Sequence, residues 1–244
     1  MIDRSKKIRL FVKQDISPDL DITLSLEQAK YLFKVMRLNI GQKITILDGK
    51  TGEYEAKIID KSSRNGKIVV EKKNKDVSRP SDLWLLFSPL RKNRTEWIVE
   101  KATELGVRRI IPIITARTIE TGVRIKRLES IMIEALEQCG GTFLPKLVEP
   151  MTLASCLSSW PSNRNLFFCD ESLSHKNVGT SFSENKKDIG AGILIGPEGG
   201  FTQAEGQLIR QIKSVIPISL GLRILRADTA AVAAIAIWKN KQND

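Results

Sequence analysis

Two short stretches carry the chemistry-bearing side chains of this chain on glycine-rich backbone. The first, LIGPEGGFTQAE (Leu194–Glu205), breaks an apolar run at Gly196 and restarts on Thr202–Glu205, which has the spacing of a helix capping box. The second, SLGLRILRADTA (Ser219–Ala230), again leads from a strand-like run through a glycine to a helix start. Strand, glycine-marked turn and helix N-terminus together expose bare backbone N–H groups, and glycine lets a ligand approach where a Cβ would block it. Neither stretch is a phosphate cradle: G-x-x-x-x-G-K-[ST] is absent, and no G-x-G-x-x-G follows a strand. A nucleoside triphosphate and a dinucleotide are therefore disfavoured, and with them nucleotide hydrolysis. The charged side chains on these loops, Glu198, Arg226 and Asp228, are the candidates for proton transfer or charge stabilisation. Asp228 could equally cap the last helix, and Glu198 could be a structural loop carboxylate. The single histidine, His175, lies in the polar run ESLSHKN and reads as a solvated side chain.

Charge bears on the kind of partner. Thirty-nine Lys+Arg against 28 Asp+Glu give a net charge of +11, which favours a polyanion, since each phosphate contact releases counterions. The basic candidates are Arg91, Lys92 and Arg94 in SPLRKNRTEW, Arg9 and Arg37 in the N-terminal region, and Arg117 closing ITART. Three widely spaced cysteines without C-x-x-C argue against a disulfide framework or a zinc site, and no metal is expected. No apolar run is long enough to span a bilayer, and MIDRSKKIRLFVK lacks a secretory h-region, so the expectation is a cytoplasmic protein with no membrane partner.

Two kinds of element must position these loops. Residues 1–74 are written mostly as short strands (KIRLFV, KITILD, EYEAKIID, GKIVVEKK) with one helix, SLEQAKYLFKVMR, capped by Ser25; this predicts a small β-barrel. The polar stretch KKNKDVSRPSD reads as a linker. From there to residue 244 strands and helices alternate: LWLLFS, TEWIVEKATELG (Thr95 as cap, Gly106 as stop), RIIPII, RIKRLESIMIEALEQC, NLFFCD, AGILIG, TQAEGQLIRQIKS, IPISLG and DTAAVAAIAIWKN. Such alternation predicts an α/β domain with a mostly parallel sheet, whose ligands sit beyond the carboxyl ends of the strands. The final helix, apolar on nearly every face, reads as core or as an interface.

The paired stretches LIGPEGGFTQAE and SLGLRILRADTAAVAAIA closely resemble the signature of the RsmE family, the 16S ribosomal RNA uridine N3-methyltransferases of the SPOUT superfamily. EKATELGVRRIIPIITART (Glu100–Thr118), IEALEQCGGTFLP (Ile133–Pro145) and YLFKVMRLNIGQKITILDGKTGEY (Tyr31–Tyr54) fit the same family in order, so the resemblance spans nearly the whole chain. It implies a PUA-like RNA-binding barrel over 1–74, then a SPOUT domain over 75–244 with a deep trefoil knot. It also implies S-adenosylmethionine as donor, 16S rRNA or the small ribosomal subunit as substrate, and a homodimer. The donor-binding residues carried over are Leu194, Ile195, Gly196, Pro197, Gly199, Gly200, Leu220, Gly221, Ile224, Leu225 and Thr229. An uncharged adenosine with a sulfonium suits backbone hydrogen bonds and apolar walls better than a phosphate cradle.

N3 of uridine is protonated at neutral pH, so methylation needs a base, or a cation that offsets negative charge on O2 and O4. Arg226 is the expected stabiliser and Asp228 or Glu198 the expected proton acceptor. Three departures from the family pattern stand out: RADTA puts the shorter Asp228 where the family has glutamate, EQCGGTF lacks the usual arginine, and AKYLFKV replaces a His-His-Leu. A noncatalytic RNA-binding or ribosome-assembly module would also explain the charge and the barrel, but has no use for two intact donor loops.

Overall fold

The structure, a computed structural model, describes residues 8–62, 64–170, 182 and 189–242. The chain divides into two compact units: residues up to Arg79 with Leu136–Leu144, and Pro80–Ala135 with Pro145 onward.

The first unit is built on strands whose alternate residues are buried. β1 (Arg9–Phe11), β2 (Asp21–Thr23), β3 (Lys43–Leu47), β4 (Gly52–Asp60) and β5 (Lys67–Asp76) form one sheet ordered β1-β3-β4-β5-β2. The register between β4 and β5 shifts at three places, and such bulges curl a sheet. Ile22, Ile44, Ile46, Ala56, Ile58, Ile68 and Val70 point into one core, closed by Leu32 and Phe33. The expected barrel is thus a curled five-stranded sheet with β1 and β2 as its edges. Ser25 and Gln28 form the expected capping box at the start of α1 (Leu26–Lys30). The helix then widens into a π-helical turn, Tyr31–Val35, and ends at Arg37, whose φ is +57°. β5 runs on through Asp76, so Lys72–Asp76 are strand rather than linker.

The second unit follows the expected alternation. β6 (Leu83–Phe87), α2 (Lys92–Glu104), β7 (Arg109–Ile114), α3 (Ile125–Cys139), β8 (Lys146–Leu147), β9 (Met151–Thr152), α4 (Leu153–Ser158), β10 (Asn165–Cys169), β11 (Ala191–Ile195), α5 (Gln203–Arg210), β12 (Val215–Ile218) and α6 (Ala227–Gln242) follow in order. The sheet is ordered β12-β10-β11-β6-β7-β8, with β9 also on β7, and every pairing is parallel. Every residue of β11 is buried, as a central parallel strand covered on both faces requires.

One helix end differs in detail from expectation. Thr95 is not the cap of α2, which starts at Lys92; its hydroxyl instead exchanges hydrogen bonds of 2.9 Å with the N–H and carbonyl of Leu90 and fixes the turn entering the helix. Gly106 ends the helix as expected, with φ +71°. α6 buries Ala227, Ala230, Ala231, Ala234, Ile235 and Trp238 and packs against α2 and β11. Val232, Ala233 and Ile237 form a second apolar stripe that is only half buried.

Candidate active site

The first glycine loop leaves the carboxyl end of β11 at Gly196, where a Cβ would come within 2.7 Å of the Phe201 ring. Gly200 sits at φ +68° and donates its N–H to the Pro197 carbonyl at 2.9 Å, closing a tight turn. Thr202 then caps α5: its Oγ1 accepts from the Glu205 N–H, and Glu205 accepts the Thr202 N–H in return at 2.8 Å. Glu205 also accepts the Ala116 N–H at 2.7 Å, and Arg117 donates to the Gly199 carbonyl, so the loop after β7 holds the loop after β11. Burial acts to raise the pKa of Glu205, but these N–H groups, the Thr202 hydroxyl and the charge of Arg117 together hold it below the usual carboxylate value.

The second loop leaves β12 at Ser219, whose hydroxyl pairs with both the N–H and the carbonyl of Gly221 at 3.2 Å. Gly221 has φ +119°, a conformation only glycine holds without strain. Beyond it Leu222 and Ile224 are each 80% exposed, while Leu225 is half buried.

Between the loops lies a cleft of about 970 Å³. Of the expected donor-binding residues, Ile195, Gly196, Pro197, Gly200, Leu220, Gly221, Ile224 and Leu225 line it. Three do not: Leu194 is buried in the core beneath the loop, Gly199 faces Arg117, and Thr229 is exposed on the first turn of α6. The cleft floor also includes Phe168, Cys169, Asp170 and Arg210, which sequence reasoning did not select. Asp170 is 7% exposed and paired with Arg210; its place directly after the apolar run NLFFC, at a strand's carboxyl end, was the available signal. Desolvation raises the pKa of the Cys169 thiol, which favours its protonated form.

The charged groups converge at one side of the cleft. Arg94 reaches it from the first turn of α2 and pairs with Glu198 on the first loop; its Nε lies 3.5 Å from Asp228 Oδ2 on α6. Asp228 is inside α6 rather than at its N-cap, and its Oδ1 accepts the Thr229 N–H at 2.9 Å. Arg226 is exposed on the cleft, with no ion-pair partner among the described residues. His175 lies outside the described residues.

Comparison with known proteins agrees with this geometry. A family model described as an RNA methyltransferase domain matches residues 77–239, and one described as an RNA methyltransferase PUA domain matches residues 25–71. The Ribosomal RNA small subunit methyltransferase E of Buchnera aphidicola subsp. Acyrthosiphon pisum is 32% identical, over 99% of this chain and 96% of that one. The protein of the same name from Rickettsia conorii is 30% identical over 93% of each. The chain belongs to the ribosomal RNA small subunit methyltransferase E family. Among solved structures, the Neisseria gonorrhoeae family member, bound to S-adenosyl methionine, superposes with a TM-score of 0.84 at 26% identity, covering 96% of this chain and 97% of that one. A methyltransferase from Legionella pneumophila, in complex with the same cofactor, gives a TM-score of 0.81 at 26% identity, over 96% and 97%. Membership in a methyltransferase family sets aside the noncatalytic binding module.

Within this ribosomal RNA methyltransferase the expected RNA contacts separate into two groups. Arg37 in the first unit, and Arg91, Lys92 and Arg117 in the second, are exposed. Arg9 is not available to RNA: its side chain is 12% exposed, pairs with Glu53 at 3.1 Å, and donates to the carbonyls of Leu136 and Gly141. The EQCGGTF departure falls beside it, where buried Thr142 accepts the Ser78 N–H at 2.8 Å. Gly141 and Thr142 therefore hold the first unit together.

Proposed function

We infer that this chain transfers a methyl group from S-adenosylmethionine to N3 of a uridine in 16S rRNA of the small ribosomal subunit. The observation that carries this reading is the cleft between two glycine-marked loops at the carboxyl ends of β11 and β12, in a chain of this family. The residues fit the donor. Gly196, Gly200 and Gly221 offer close backbone, and Ile195, Leu220, Ile224 and Leu225 offer apolar walls. When bound, S-adenosylmethionine supplies a methyl carbon activated by the positive sulfur.

The protein's own part is orientation and charge. N3 must lose its proton before it can accept a methyl group, and the resulting negative charge spreads to O2 and O4. Arg226, exposed on the cleft and unpaired among the described residues, is the group that offsets this charge. Glu198 and Asp228 are both engaged by Arg94, so the proton leaves to water or to a carboxylate that Arg94 releases. The target uridine is unpaired, because base pairing occupies N3, and Arg37, Arg91, Lys92 and Arg117 meet the phosphates.

The same reading includes a homodimer, with the exposed Leu222 and Ile224 and the half-buried stripe of α6 as the apolar surface a second copy covers. It includes a C-terminal trefoil knot, in keeping with central β11 lying between β10 and β6 while α6 packs on α2. It also includes a cytoplasmic location and metal-free chemistry. No helix of the described residues is long and apolar enough to cross a membrane.

The test is transfer of tritium from methyl-labelled S-adenosylmethionine to small subunits or their RNA, followed by nuclease mapping. Label in 3-methyluridine at one position is the expected result. Label on a ribose oxygen or another base would overturn the assignment.

A further inference from the structure

Arg94 was grouped with the RNA-contacting arginines on sequence grounds, but its surroundings give it other work. Its guanidinium reaches two acidic side chains on separate pieces of chain. Glu198 belongs to the loop after β11, which is one wall of the cleft. Asp228 belongs to the first turn of α6, directly after the Ser219–Arg226 wall. Arg94 itself is anchored, since its N–H is 2.9 Å from the Arg91 carbonyl and Thr95 next to it is locked onto Leu90. The three side chains are only partly exposed, at 28%, 36% and 18%, so water screens the pairs less than it does on an open surface. A planar guanidinium addresses two carboxylates from the fixed directions of its rigid fork, whereas an ammonium offers a freely rotating point charge.

We propose that Arg94 is a positioning residue that straps the two walls of the donor cleft together through Glu198 and Asp228, and is not an RNA phosphate ligand. The proposal rests on the donor-cleft reading above. It makes Glu198 and Asp228 anchors of the strap, leaving Arg226 as the unpaired cation facing the reacting base.

The strap is tested by amide hydrogen exchange on the ligand-free protein, by calorimetry with S-adenosylmethionine, and by the salt dependence of RNA binding. Arg94→Gln is expected to speed exchange of the Gly200 amide about tenfold and to weaken donor affinity by a similar factor, with the salt slope of RNA binding unchanged. Glu198→Gln, which cuts the same strap from the exposed loop, should reproduce the exchange effect, and the double variant should add little to either single one. Arg94→Lys should recover only part of the protection. Wild-type exchange and donor affinity in Arg94→Gln, with the salt slope reduced by about one, would overturn the proposal and return Arg94 to the phosphate contacts. Additive effects in the double variant would also overturn it. Exchange is measured without ligand, so it judges the strap even if the wild-type protein failed to bind S-adenosylmethionine, a failure that would instead remove the donor-cleft reading.

Discussion

The two walls of the cleft are written alike and built differently. The wall at Gly196–Gly200 is tied at nearly every residue: Gly196 lies under Phe201, Glu198 meets Arg94, Gly199 takes a hydrogen bond from Arg117, and Gly200 closes onto Pro197. The wall at Ser219–Arg226 has its turn at Ser219–Gly221, and beyond it Leu222, Arg223, Ile224 and Arg226 project into solvent. Two 80%-exposed aliphatic side chains two residues apart on a loop, Leu222 and Ile224, are costly to leave in water, on the order of 1–2 kcal/mol each. The comparison teaches that one wall is formed by the protomer alone, while the other is completed by what binds it: donor, RNA or a second copy.

The largest expected effect separates charge from architecture on the loose wall. Arg226→Ala should lower turnover on the order of 10²–10³-fold at neutral pH, as loss of one well-placed charge-stabilising donor does. Raising the pH should recover part of the rate, because more of the uridine is then already deprotonated. Steady-state kinetics across pH check this, and an unchanged rate at neutral pH would place the stabilising charge elsewhere.

A smaller effect is expected on assembly. Leu222→Asp with Ile224→Asp puts charge where the account places an apolar dimer contact, weakening self-association at least about 100-fold. The protomer's own stability should change by no more than about 0.5 kcal/mol, since both side chains are exposed within it. Sedimentation equilibrium should therefore show a folded monomer, whose thermal transition falls only by what self-association adds to the wild type. A persisting dimer would put the interface on another surface.

The tied wall gives the smallest effect, and it depends on pH. Glu205→Gln keeps the shape of the capping box but removes the charge that the Ala116 and Thr202 N–H groups serve, at a cost of about 1 kcal/mol. The folded pKa of Glu205 lies below its ordinary 4.5, so its stabilisation is present above that value. It is lost as pH falls through the folded pKa. Urea titrations should show the gap between wild type and variant closing below about pH 4.5; a gap constant across the acid range would remove the charge from the explanation.

Much of this was legible in the chain itself, for identifiable reasons. The parallel sheet followed from apolar runs of strand length separated by capped helices, and Thr202–Glu205 announced its helix because a capping box is a local device. What local pattern cannot supply is which side chains meet across distant elements. Arg9 looked like a surface cation and is consumed by Glu53 and the carbonyls of Leu136, Glu137 and Gly141; Arg94 looked like an RNA contact and joins two carboxylates. Asp170 entered the cleft unnoticed because its role depends on β10 lying next to β11 and β12, a fact of sheet order rather than of sequence spacing. Thr95 shows the reverse error, a good capping residue used one turn inside its helix.

The central claim is that the donor lies between a wall already tied and a wall that awaits it. Hydrogen exchange with and without saturating S-adenosylmethionine tests it most directly. The account predicts strong new protection across Ser219–Arg226, with a smaller change at Gly196–Gly200, which is protected beforehand. Protection confined to another part of the chain, or equal exchange in both states despite measurable binding, would contradict it.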